Sequence, residues 1–519
     1  MKYICLLMLG TVTAFLQLCA QPGWLHKDLS DDSLFGISTQ KAYNLLKGKK
    51  STKVIVAVID SGVDTTHEDL KSVLWVNSGE KKGNKKDDDA NLYADDVMGW
   101  SFLGSEKGNV HYENLEVTRM LRNANPAFAV RGQVPADTTG LAAYRQLRML
   151  YNRKWKEANA ARARALDIGG YFDSICSRIG KSPFSRDDIA AYEPRNEAEV
   201  GIRGMMMAAF DEGYTFEEYR KEVVNDRLEV ADRMLKYALN MDYRPRYLVG
   251  DDTANVVERQ YGCADVNGPD PEHGTHVSGI IGAGRLNGKG IDGIADNVAL
   301  MTIRAVPDGD ERDKDIANAI RYAVDNGARI INMSLGKPLS PDKRVVDEAV
   351  KYAMGRNVLI VHAAGNDHLD LDVNANFPNR RYAAGGEAGA WLEVGASASK
   401  DSTNLVASFS NYGKHTVDVF APGTAIYSCT PGSGYAYHDG TSMAAPVVSG
   451  IAALIMEYFP TLTALQVKDI IMHSVVKPSH DLMLRGSRVD LSYLCISGGV
   501  VNAYQAIRLA SVVAGNSGR

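Results

Sequence analysis

Apolar residues change their spacing twice along the chain. Residues 53–60, Lys-Val-Ile-Val-Ala-Val-Ile-Asp, are a continuous β-branched run, apolar on both faces, which predicts a buried strand of a parallel sheet closed by Asp60. A short helix is predicted before it, over 39–47. From 262 onward apolar runs alternate with stretches of helical period: strands are predicted at 298–304, 328–333 and 358–363, and helices over 313–326 and 344–355. A further helix starts in the 271–281 stretch, and a long apolar helix runs through 447–455. Strand and helix alternating at these lengths imply right-handed βαβ crossovers, hence an α/β fold with a parallel sheet and helices on both faces. Between 105 and 258 the texture differs. Glycine thins out, and Tyr144, Leu147, Tyr151, Trp155 and Ala158 step by three and four, as do Phe216, Tyr219 and Val223, then Val230, Met234, Tyr237 and Met241, predicting an inserted all-α module.

With 519 residues, 45% hydrophobic and 23% charged, the chain can bury one large domain plus that module. Lys+Arg 58 against Asp+Glu 63 points to neither nucleic acid nor an anionic membrane surface. Met1-Lys2, an apolar run over 4–18 and Cys19-Ala20-Gln21 read as a secretory signal cut after Ala20, so the protein is expected to be exported, periplasmic or secreted; a lipoprotein anchored at Cys19 is the alternative. No later segment reaches the roughly 18 apolar residues of a membrane span. The expected divisions are 1–20 signal peptide, 21–104 and 259–510 the two parts of one domain, 105–258 the helical insertion, and 511–519 a tail. Beyond the signal, Cys176, Cys263, Cys429 and Cys495 are too widely spaced for a disulfide framework, and bridges or free buried thiols both remain open. Arg145, Arg148, Arg153, Lys154, Lys156, Arg162 and Arg164 make one helix of the insertion basic, either a solvated face or a docking surface for a protein partner. The charge-dense loop 80–96 reads as solvated, with a cation site as the alternative.

Taken singly, the polar positions are ambiguous. Ser442, between Gly440-Thr441 and the apolar helix, sits at a helix N-terminus, as a nucleophile or merely as a cap. Asp60 lies at the carboxyl end of a strand, where open α/β sheets carry chemistry and where turn formers also occur. His273 and His276 are three apart and could bind a metal, and Asn366 follows a glycine as a left-handed turn residue would. Together, VIDSGVD at 58–64, HGTHVSGIIGA at 273–283, SLG at 334–336, AAGN at 363–366 and GTSMAAP at 440–446 resemble the subtilisin-like serine peptidases, over about 25–104 and 259–510.

That resemblance implies a three-layer fold with a mostly parallel central sheet, and a serine endopeptidase acting on extended polypeptide through an acyl-enzyme. It implies Ser442 as nucleophile, His273 as base, Asp60 as the carboxylate orienting the imidazole, and the Asn366 amide with the Ser442 N–H as oxyanion donors. The chemistry needs these types: a serine hydroxyl is a poor nucleophile at neutral pH, and imidazole is the base whose pKa lies near it. Ser334, Leu335 and Gly336 match a strand that pairs with substrate backbone, while Ala363, Ala364 and Gly365, with Asn376 near its floor, match walls of the pocket before the cut. His276 matches a structural position, and no metal is implied for the chemistry. A structural calcium is open: Asp69 matches one ligand, but the 286–290 loop is short. Two departures stand out. Asp60 and His273 lie 213 residues apart because of the insertion, and residues 21–59 leave little room for a folding-assisting pro-domain. The rival expectation is a catalytically silent peptide-binding or adaptor protein on the same scaffold.

Overall fold

The computed structural model describes residues 23–129, 138–181 and 183–517. The predicted signal peptide, its cut after Ala20 and the alternative anchor Cys19 lie outside these residues. Seven strands form the central sheet: β1 (Val54–Asp60), β2 (Gly99–Ser101), β3 (Val298–Arg304), β4 (Ile330–Met333), β5 (Leu359–Ala363), β6 (Trp391–Ser397) and β7 (Val419–Pro422). Their order is β2-β3-β1-β4-β5-β6-β7, and every neighbouring pair is parallel. β1 is therefore flanked by β3 on one side and β4 on the other, the point at which the strand order reverses and where sheets of this class carry their sites.

Alternation along the strands explains the layers. Ala57 and Ile59 of β1, Met301 and Ile303 of β3, Ile331 and Met333 of β4 point to one face. There they pack on Ile316, Ala319, Ile320 and Ala323, and on Val346, Ala349, Val350 and Ala353. The opposite face carries α1 (Glu272–Gly282); α2 (Asp313–Asp325) and α3 (Lys343–Gly355) supply the first-named layer. α4 (Thr441–Tyr458) also lies against the opposite face, and almost all of it is buried. The hairpin β8 (Ile426–Thr430) and β9 (Gly434–His438) precedes it. α4 bears on the expectation that no segment is long and apolar enough to span a membrane. It meets that test by length and composition, with mean hydropathy 1.3, but 89% of it is buried in the core.

A second compact unit comprises Trp155–Leu235. It contains most of the helix Leu141–Ile179, the helix Glu197–Asp211, and a helical run from Phe216 that includes a π-type stretch at Lys221–Asp226. Its core is its own: Phe172, Ile175, Phe184, Ile189, Ile202, Met206, Val223 and Val224. Ser185 and Thr215 cap helices through reciprocal bonds with Asp188 and Glu218. Residues 138–154 and 236–261 group with the larger unit. Cys176, Cys263, Cys429 and Cys495 are all free thiols.

Candidate active site

The site is built where β1 stops. Asp60 is its last residue, 2% exposed, and its Oδ1 accepts from the Ser61 N–H at 2.7 Å and lies 2.7 Å from His273 Nδ1. His273 is the second residue of α1, so the first turn of that helix abuts the end of the strand. Gly274 makes the approach feasible: a Cβ there would lie 2.1 Å from the Gly62 carbonyl oxygen. Because an ionised carboxylate can only accept, Nδ1 donates and the neutral ring presents Nε2 as its acceptor. The His273 side chain remains 38% exposed. Desolvation of the ring pulls its pKa down, but the Asp60 charge and hydrogen bond, with Asp270 and Glu272 nearby, outweigh it and hold the pKa above the ordinary histidine value.

Ser442 is the second residue of α4, which Gly440 precedes at φ 151°. Its Oγ donates to the Ser334 carbonyl at 3.3 Å; among the described residues no hydrogen bond joins it to His273. The structure thus brings Asp60 and His273 into contact, with Ser442 directed to the loop after β4. Asn366 is oriented from the same helix: its Oδ1 accepts from the Thr441 N–H and the Thr441 hydroxyl, both at 2.9 Å. The Thr441 Oγ1 in turn accepts from the Gly365 N–H at 3.0 Å. The Asn366 Nδ2 makes no hydrogen bond among the described residues. Pro446 contributes through what it lacks. Having no N–H, it leaves the Ser442 carbonyl four residues earlier without an intrahelical donor, and the Ser334 hydroxyl fills the place at 2.8 Å. Ser334 is held in turn by Asn332 Nδ2 at 3.0 Å, and the Asn332 Oδ1 accepts from Ser449 of α4 at 2.8 Å. Sequence reasoning missed this chain and the role of Thr441. The signal for the first was present, since Asn332 interrupts an otherwise apolar strand and is fully buried.

Ser334, Leu335 and Gly336 continue from β4, and Ala363 ends the adjacent β5 with Ala364 and Gly365 following. Asn376 ties the second segment by donating to the Ala363 and Ala364 carbonyls at 3.1 Å each, and its amide oxygen would lie 2.4 Å from a Cβ at Gly336. His276 faces away, with Nε2 3.1 Å from the Ile426 carbonyl and 3.2 Å from that of Ala436, its ring stacked on His438. Burial, and then the neighbouring His438, lower its pKa to about 3. It is held as a structural residue.

The place matched for calcium centres on Asp69. Asp69 Oδ1 accepts from Asn287 Nδ2 at 2.5 Å and Oδ2 from the Tyr435 hydroxyl at 3.3 Å, so hydrogen-bond donors address both oxygens. Elsewhere, carboxylate oxygens of Glu80, Asp87 and Asp89 lie within 4.8 Å of one another. Each also accepts from backbone amides or Asn side chains of the same loop.

A family model described as the subtilase family matches residues 51–490. The chain belongs to the subtilase family. This subtilase is 40% identical over 202 residues to the thermophilic serine proteinase of Bacillus sp. (strain AK1), covering 39% of the chain and 45% of that relative. It is 37% identical over 324 residues to subtilisin NAT of Bacillus subtilis subsp. natto, covering 61% of the chain and 75% of the relative. The chain thus spans about half the length of the first of these relatives. A solved protease of Pseudoalteromonas arctica PAMC 21717 aligns over 95% of this chain and 98% of its own, at 18% identity and TM-score 0.48.

Proposed function

We propose that this subtilase is an exported serine endopeptidase that hydrolyses polypeptides through Ser442, His273 and Asp60. The observation that carries the reading is the 2.7 Å contact between the buried Asp60 carboxylate and His273 Nδ1. It leaves Nε2 as the base at the carboxyl end of the sheet, where Ser442 lies in the first turn of α4. An extended peptide pairs with Ser334, Leu335 and Gly336, its residue before the cut against Ala363, Ala364 and Gly365. The Ser442 hydroxyl turns from the Ser334 carbonyl and its Oγ attacks the scissile carbonyl carbon while His273 Nε2 takes the proton. Negative charge on the carbonyl oxygen is met by the Asn366 Nδ2 and by the Ser442 N–H, which lies in the first turn of α4 where helices leave amides unpaired. The C–N bond breaks as His273 returns the proton to the leaving amine, and water hydrolyses the acyl-enzyme by the same steps. Asp60 keeps the tautomer and stabilises the imidazolium. No metal or cofactor enters these steps.

The test is the intact mass of the 21–519 protein after exposure to a fluorophosphonate, beside Ser442→Ala. One adduct on the wild type and none on the variant is expected. Absence of any adduct would favour the silent peptide-binding reading, in which the Ser442 bond to the Ser334 carbonyl is permanent.

A further inference from the structure

Above Asp60 the sheet has a gap. β1 ends at Asp60, level with Arg304, the last residue of β3, and β4 ends at Met333 beside Ile59; the chain leaves these two neighbours as the irregular segments 305–311 and 334–337. Where they end, β3 and β4 stand two inter-strand spacings apart, about 10 Å, with nothing of β1 beyond Asp60 between them. The near end of the gap holds Ser442, bonded to the Ser334 carbonyl. Its far end is crossed by one buried side chain. Lys337 is 3% exposed, and its Nζ donates to the Glu311 carbonyl on the opposite wall at 2.7 Å. The same ammonium contacts Glu116 Oε2 at 2.7 Å and Asp313 Oδ1 at 2.9 Å.

The far wall is fixed from behind as well. Arg119 donates to the Asp310 carbonyl at 2.8 Å and to the Glu311 carbonyl at 3.1 Å, and its guanidinium pairs with Glu116. The Glu113 N–H donates to the Asp308 carbonyl at 2.8 Å. On the near wall the Lys337 N–H and C=O are both spent on Phe377, at 3.0 and 2.8 Å, which leaves the alternate residue Gly336 to present its own backbone groups to the opposite side. The Asp310 and Glu311 acceptors that an added strand would need are thus taken by Arg119 and Lys337.

We propose that Lys337 closes the substrate channel three residues upstream of the cut, making it a determinant of how much peptide the site reads. The count follows from the register. A peptide whose first residue before the cut lies beside Ser334 has its third beside Gly336, because both strands advance about 3.3 Å per residue. A fourth residue meets the Lys337 bridge and must leave the channel. This inference rests on the peptidase reading above.

The experiment is kcat/KM for a series of peptide p-nitroanilides carrying one to five residues ahead of the anilide. The rate constant is expected to climb through the third residue and change by less than about twofold with the fourth and fifth, since groups left outside the channel supply no binding energy to the transition state. A gain of about tenfold or more at the fourth residue overturns the closure. Lys337→Ala takes the cation from the buried Glu116 and Asp313, so the unaltered protein carries the decision. Where that variant still labels at Ser442, it should acquire the fourth-residue gain that the wild type lacks, and its failure to do so also overturns the proposal. No cleavage of any member, with Ser442 unlabelled, overturns the peptidase reading and the closure together, whereas cleavage that keeps rising overturns the closure alone.

Discussion

Asp60 acts on His273 in two ways through one 2.7 Å contact: it selects the tautomer and it raises the pKa. In the mechanism proposed above only the neutral ring takes the Ser442 proton, so the sign is fixed. As pH falls through the raised pKa the ring becomes cationic and kcat/KM must fall, with its acid limb above the reference value of about 6.5. Asp60→Asn leaves the desolvation that lowers the pKa and deletes the charge that raises it. A pH profile should then show the acid limb moved downward, with kcat reduced by about 10⁴-fold, as for that exchange in other triads. A limb that stays in place would mean that Asp60 does not set it. Asn366 gives a second test. Its Oδ1 is anchored by Thr441, so the Nδ2 direction is defined, and Asn366→Ala should lower kcat by about 10²- to 10³-fold with KM little changed. A loss seen only in KM would make Asn366 a ground-state contact and remove it from the oxyanion site.

At the scale of elements, α4 and β4 are joined by polar groups where each would otherwise be apolar. Pro446 frees the Ser442 carbonyl, Ser334 satisfies it, and Asn332 and Ser449 complete the chain through the core. Ser334→Ala leaves that carbonyl without its donor. Denaturant unfolding should show a loss of about 1–3 kcal/mol, the usual cost of an orphaned buried polar group, and Ser442 labelling should slow in parallel. No change in either would mean that the helix end has another donor. This junction also shows where sequence is legible. β1, β3, β4 and β5 announce themselves as apolar runs and fall within two residues of the positions expected. β6 and β7 did not. Glu393 breaks the pattern of β6, yet it is buried with His362 at 2.9 Å and the Trp391 indole N–H at 2.9 Å, while Pro422 gives β7 the look of a turn. Likewise the motifs single out Asp60, His273 and Ser442 as candidates, whereas Thr441 and Asn332 enter through hydrogen bonds to partners distant in the chain, which no local pattern records.

For the whole molecule, the change of texture near 105 was visible, whereas the partition that contacts define begins at Trp155. The difference lies in charged residues that look solvated in the sequence. Arg246, 7% exposed, pairs with Asp315 at 2.8 Å, and Glu116, 6% exposed, with Lys337 at 2.7 Å, so both flanks of the insertion are bound into the larger unit by buried ion pairs. Composition cannot distinguish such pairs from surface charge. What remains, Trp155–Leu235, has a separate core around Phe172, which is fully buried and lies 5.5 Å from Phe216 and 6.1 Å from Tyr219, centroid to centroid. A unit with its own core can unfold by itself. Phe172→Ala removes a fully buried aromatic ring from that core and should cost the unit about 3–5 kcal/mol. In calorimetry one transition is expected to move to lower temperature while a second, carrying Ser442, stays in place, and fluorophosphonate labelling of Ser442 should proceed at the wild-type rate. If both transitions shift together and labelling falls with them, the two cores fold as one cooperative block, and the 155–235 unit contributes to the stability of the site that the larger unit carries.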